Sequence, residues 1–75
     1  MTVYRNLSGN SGVTEYEIGE GSIIVTFKGG KRYLYNSLTP GQREVDEMAR
    51  RAKSGRGLST YITQVVKTRY AAKLN

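Results

Sequence analysis

The sequence predicts a small α+β domain, a three-stranded antiparallel sheet (a β-meander) followed by two helices packed on one face. Three observations lead there. Apolar and polar residues alternate between positions 13 and 36, with glycine turns at two places. Beyond position 44 the apolar residues recur at helical spacing, and the single proline, Pro40, stands at the changeover. Seventy-five residues allow one core, because a chain this short buries only ~60% of its unfolded surface.

Residues 6–12 (Asn-Leu-Ser-Gly-Asn-Ser-Gly) have turn and linker composition. Residues 1–12 are therefore expected to be a flexible N-terminal segment, with the domain spanning 13–75. Strand patterns follow at 13–18, 22–28 and 31–36, joined by turns at Glu20-Gly21 and Gly29-Gly30, where glycine supplies the positive φ of a tight turn. A two-residue Glu20-Gly21 loop sets Tyr16 opposite Val25 and Ile18 opposite Ile23, gathering apolar side chains on one face. At the second turn, a two-residue Gly-Gly loop would oppose Phe27 with Arg32 and split the aromatics. A three-residue Gly29-Gly30-Lys31 loop opposes Phe27 with Tyr33 and Val25 with Tyr35, and is preferred. One face then carries Tyr16, Ile18, Ile23, Val25, Phe27, Tyr33 and Tyr35. The other carries Glu15, Glu17, Thr26, Lys28 and Arg32, with Ile24 and Leu34 among them.

Thr39-Pro40-Gly41-Gln42 reads as a helix start, with Thr39 as N-cap, Pro40 at the first helical position and Gln42 closing a capping box. Val45, Met48, Ala49 and Ala52 form a narrow apolar stripe. Acids lead this helix (Glu44, Asp46, Glu47) and bases close it (Arg50, Arg51, Lys53), which suits its macrodipole. Gly55 or Gly57 can end it in a left-handed cap. A second helix is expected from Ser59, with Leu58, Tyr61, Ile62, Val65, Val66 and Tyr70 at helical spacing, although Ile62, Val65 and Val66 alone also fit a strand. Arg69 falls back on the apolar stripe, so either the helix ends before it or its stem packs while its head reaches water.

Charge narrows the function. Twelve Lys/Arg against six Asp/Glu give +6, unevenly placed. Residues 1–27 carry a net −2, whereas residues 48–75 carry +7 with no acid at all. Such a field attracts polyanions such as nucleic acid or an anionic membrane surface. Histidine and cysteine are absent, which removes the usual general base and the commonest metal ligands. No metal, cofactor or catalytic activity is expected. Glu15 and Glu17 share a strand face, but an exposed face needs charges anyway. No apolar run reaches the ~20 residues of a membrane span and no signal-peptide pattern opens the chain, so a cytoplasmic domain without membrane contact is expected.

The ordered run Tyr16-Glu17, Ile23-Ile24-Val25-Thr26-Phe27 and Gly30-Lys31-Arg32-Tyr33-Leu34-Tyr35 resembles the KTSC domain, whose central signature is a Tyr-x-Tyr pair. Ala52-Lys53-Ser54-Gly55, Ile62 and Tyr70 also fit, so the resemblance covers about residues 11–71. The chain departs from the family at Leu58-Ser59, where a Phe-Asn pair is usual, and at Leu38-Thr39-Pro40, where valine-proline is usual. That family is named for its occurrence at the C-terminus of some lysyl-tRNA synthetases and also occurs as a stand-alone bacterial protein. The resemblance implies a compact α+β domain, and the synthetase context implies RNA as a partner.

The candidate contacts follow from charge and rings. Tyr33 and Tyr35 can stack unpaired bases or pack beneath the helices beside Phe27; the scarcity of large apolar residues favours packing. Lys53-Ser54-Gly55-Arg56-Gly57 precedes a helix start with Ser59 and Thr60 as caps, which is either an anion site or an ordinary helix–helix turn. Arg50, Arg51, Lys53, Arg56, Lys67, Arg69 and Lys73 are the candidate phosphate contacts. Asp46–Arg50 and Glu47–Arg51 at i, i+4 partly neutralise two of these, leaving Arg56, Lys67, Arg69 and Lys73 as the stronger candidates. The function expected is RNA or other nucleic-acid binding through phosphates; the alternative is a protein-interaction or regulatory module with an acidic partner.

Overall fold

The computed structural model describes residues 2–7, 9 and 11–74. Five antiparallel strands form one sheet in sequential order: β1 (Thr2–Val3), β2 (Val13–Gly19), β3 (Ser22–Phe27), β4 (Arg32–Asn36) and β5 (Ala72–Lys73). Between β4 and β5 lie α1 (Gln42–Ser54) and α2 (Leu58–Tyr61), and α2 runs on as a π-helical turn over Ile62–Val66. The α+β class and the antiparallel sheet are as the sequence predicts, but the sheet has five strands instead of three. The two added strands are two residues each, too short for any periodicity to announce them, and they flank the meander on its two edges.

The β2–β3 hairpin has the predicted register, with Tyr16 opposite Val25 and Ile18 opposite Ile23. Farther along, a bulge between Val13 and Glu15 brings Val13 opposite Phe27 and turns it into the core, although strict alternation would have put it beside Glu15. The β3–β4 loop has three residues, but they are Lys28-Gly29-Gly30 instead of Gly29-Gly30-Lys31. The Phe27 N–H donates to the Lys31 carbonyl at 2.7 Å and the Gly30 N–H to the Phe27 carbonyl at 3.0 Å. Val25 therefore opposes Tyr33, and Ile23 opposes Tyr35. This slip of two residues keeps every side chain on its predicted face.

Ile23, Val25 and Tyr35 form the core with Val45, Met48 and Ala52 of α1, Leu58 of α2, and Ile62 and Val66 of the π turn. Both helical segments thus cover the same sheet face. α1 starts two residues later than a Thr39 cap requires. Asn36 accepts the Leu38 and Thr39 N–H groups on Oδ1 at 3.0 and 2.9 Å, the Thr39–Pro40 peptide is cis, and Gly41 is the residue before the helix. Gly55 ends α1 at φ 78°, where a Cβ would lie 3.0 Å from the Arg5 Cβ.

Residues 2–7 were expected outside the domain, yet they supply β1 and a core ring. Tyr4 is 3% exposed and its hydroxyl accepts the Leu58 N–H at 3.2 Å, while the Leu7 N–H donates to the Gly55 carbonyl at 2.8 Å. At the other end, the second helix stops at Val66 instead of continuing through Tyr70. Lys67 takes φ 55°, ψ −121°, and the Arg69 N–H bonds the Val66 carbonyl at 3.0 Å, which closes a turn of the type II′ kind. The Ala71 N–H then bonds the Leu34 carbonyl at 2.7 Å and leads the chain into β5.

Candidate nucleic-acid interface

The end of β3, the start of β4, the π turn and the approach to β5 meet around an open pocket of about 270 Å³. Its walls are the half-buried rings of Phe27, Tyr33 and Tyr70. Tyr33 meets Phe27 edge-on, with ring centroids 5.7 Å apart, and meets Tyr70 at 4.7 Å with a 48° tilt. Buried Tyr35 and Ile62 make the floor, and exposed Lys31, Lys67 and Thr68 make the rim. Tyr35, 2% exposed, packs in the core; Tyr33 is part core and part pocket wall. Burial, reinforced by the neighbouring Tyr33 and Tyr70 phenols, pushes the Tyr35 hydroxyl up to about 12, so it stays protonated.

Lys73 joins this face from β5. It pairs directly with Tyr33, and directly opposed residues share a face. Lys31, opposite Phe27 at the base of the β3–β4 loop, does the same. Lys31 and Lys67 thus line the pocket and Lys73 shares its sheet face; none of the three has an ion-pair partner among the described residues, and no carboxylate is among the described lining residues. Lys67 is also backbone-strained. A positive φ with ψ near −120° is glycine territory, and the π turn whose last i→i+5 bond runs from the Lys67 N–H to the Ile62 carbonyl delivers the residue there.

The remaining candidates lie elsewhere. Glu47 accepts both Arg50 and Arg51, the latter at 2.6 Å; these hydrogen bonds pull its carboxyl down to about 2. Arg51 further donates to the Gly57 carbonyl at 3.2 Å and lies 4.8 Å over the Tyr61 ring. The expected Asp46–Arg50 pair does not form, since Asp46 takes the Gln42 amide at 2.6 Å. Arg69 is exposed and turns two of its donors to the helix end, to the Val65 carbonyl at 2.7 Å and, more weakly, to that of Val66 at 3.4 Å. Lys53 and Arg56 are exposed at the α1–α2 turn, separated from Lys67 by the helical stretch 58–66, roughly 10–13 Å of rise. In that turn Gly57 precedes α2, and Ser59 and Thr60 lie inside it, so the two predicted caps do not cap.

The structure thus gathers Tyr33, Tyr35, Lys67 and Lys73 and leaves Arg50, Arg51, Lys53, Arg56 and Arg69 outside. Sequence reasoning did not name Lys31, Thr68 or Tyr70 as contacts. Tyr70 was absorbed into a helical period, and Lys31 into a loop. Glu15 and Glu17 sit on the opposite sheet face, on which no described helix packs. Among the described residues no helix is long and apolar enough to cross a membrane. No family model matches the chain, and no curated protein or solved structure is similar to it.

Proposed function

We propose that this is a small, basic, non-catalytic domain that binds single-stranded nucleic acid, RNA in the first place, through phosphate contacts. The observation that carries the reading is an aromatic pocket lined by Lys31 and Lys67, with Lys73 beside it on β5 and no carboxylate among its described lining residues. Single-strand sites combine cations that follow the backbone with rings that accept bases, and this face has both. The KTSC-like order of motifs agrees with it through the synthetase context. Compared with the charge pattern alone, the reading moves the contact set from Arg56 and Arg69 to the three lysines, because Arg69 already serves the helix end.

A titration followed by fluorescence anisotropy tests it, using single-stranded RNA, single-stranded DNA and duplex RNA at several salt concentrations. Three engaged lysines give a log–log salt slope of about −2 for single strands, at roughly −0.7 per phosphate. Single strands bind more tightly than the duplex, whose bases are unavailable to the rings. Absence of binding to every nucleic acid at low salt, with retention of an acidic protein, sinks this reading and leaves the interaction-module alternative.

A further inference from the structure

Seven aromatic rings serve the whole chain, and three of them, Phe27, Tyr33 and Tyr70, stand part-exposed around one opening. A domain short of large apolar residues gains stability by burying such rings, so their grouping at a solvent-open slot calls for an occupant. Three features specify its chemistry. The three rings pack against one another, edge-on and tilted, and together offer one apolar wall on which a flat π-surface can lie. The pocket's volume of about 270 Å³ lies near the lower edge of the ~300–1,000 Å³ of small-molecule sites, enough for a flat group the size of one base. Lys31 and Lys67 line it, Lys73 stands opposite Tyr33 on the neighbouring strand, and no acidic side chain is among its described lining residues, so whatever carries the flat group carries anionic groups beside it.

We infer that the pocket walled by Phe27, Tyr33 and Tyr70 takes one unstacked base of a bound strand against its rings, with the flanking phosphates on Lys31, Lys67 and Lys73. The inference rests on the nucleic-acid reading above and adds to it a defined base site. Stacking tolerates any base, because each has a π-face, so the site selects unpaired nucleotides over paired ones more than one sequence over another. Tyr70 is the ring best placed to respond. It lies on the turn between the π segment and β5, outside every helix and strand, and the N–H of the next residue, Ala71, is tied to β4.

The test compares a single-stranded RNA, an abasic strand of equal length and a mononucleotide, each titrated with the parent protein, Tyr70→Ala and Tyr70→Phe. The parent is expected to bind the base-bearing strand roughly 5- to 150-fold more tightly than the abasic one, the range that one stacked base supplies. Tyr70→Ala removes most of that preference and leaves the salt slope unchanged, whereas Tyr70→Phe keeps it. A fluorescent purine analogue in the strand is quenched by the parent and not by Tyr70→Ala. Equal affinity for abasic and base-bearing strands, with the expected salt slope intact, overturns the base site while the phosphate reading survives. Failure of both strands to bind at low salt overturns both. A mononucleotide that binds as tightly as the strand overturns the strand as occupant. Should Tyr70→Ala not fold, the abasic comparison on the parent protein still decides.

Discussion

Lys67→Gly separates the stability of this domain from its proposed binding, because the two should move in opposite directions. Lys67 sits at φ 55°, ψ −121° on the pocket rim. Holding an ordinary side chain in so sparsely populated a region costs ~1–3 kcal/mol. Glycine adopts it freely but loses more chain entropy on folding, ~0.5–1 kcal/mol. The difference leaves Lys67→Gly more stable than the parent by about 1 kcal/mol, a rise in melting temperature of roughly 4–8 °C for a domain of this size. The same change removes one rim cation, so the salt slope for single-stranded RNA should shrink by about 0.7. Lys67→Ala is the control: it keeps a Cβ and therefore the strain, loses the charge, melts near the parent and shows the same loss of slope. Circular-dichroism melts and salt-resolved anisotropy titrations read both quantities. If Lys67→Gly melts no higher than Lys67→Ala, the strain reasoning is wrong. If neither variant changes the slope, Lys67 does not meet a phosphate.

Other perturbations probe the frame that holds the pocket. Tyr4→Phe leaves the buried Leu58 N–H without its acceptor and should cost ~1–3 kcal/mol in urea unfolding; an unchanged midpoint would mean that this hydrogen bond contributes nothing. Gly55→Ala forces a side chain into φ 78° with its Cβ 3.0 Å from the Arg5 Cβ, and should destabilise by more than ~1 kcal/mol, read as a lower melting temperature. Alkaline unfolding should follow Tyr35. Its folded-state value is raised from 10.0 to about 12, so the stability from its neutral phenol is complete below pH 10 and drains away as pH rises toward 12. At most ~3 kcal/mol is at stake for a shift of that size. A pH series of denaturant melts with the parent and Tyr35→Phe checks it, since the variant should lose less stability across that window.

Much of this fold is legible in the sequence because local signals agree. The Glu20-Gly21 turn and the alternation of Tyr16, Ile18, Ile23 and Val25 leave one sensible register, and the chain adopts it. The Val45, Met48 and Ala52 stripe identifies the buried side of α1. Where signals were short or divided, sequence reasoning failed in understandable ways. Gly29-Gly30 fits two positions of a three-residue loop, and only the Phe27–Lys31 hydrogen bonds choose between them. Thr39 looks like an N-cap until Asn36 captures its N–H. Two-residue edge strands carry no period, so β1 and β5 exist only through their pairing with longer neighbours. The charge pattern in residues 48–75 ranks Arg56, Lys67, Arg69 and Lys73 first, and of these the structure sets only Lys67 on the pocket and Lys73 beside it. The packing of Arg51 over Tyr61 is a contact between helices that no local spacing announces, whereas the second claim on Glu47, by Arg50, and the Arg69 bond to Val65 are local contacts that sequence reasoning passed over.

The segment where sequence patterns conflict is also the one that builds the pocket. Ile62-Thr63-Gln64-Val65-Val66 is rich in β-branched residues, which lose rotamer freedom in a helix, yet Ile62 and Val66 must both face the core. The segment closes as a π turn, a geometry frequent at functional sites. It hands the chain to Lys67 in a conformation that glycine would hold without strain, then to Tyr70, whose ring closes the wall against Tyr33. For stability alone glycine would suit position 67 better, and an exposed lysine gains the fold nothing there. A strained cation at the mouth of an aromatic slot makes sense when an anion is meant to meet it, which is why Lys67, more than any arginine of the basic segment, carries the nucleic-acid reading.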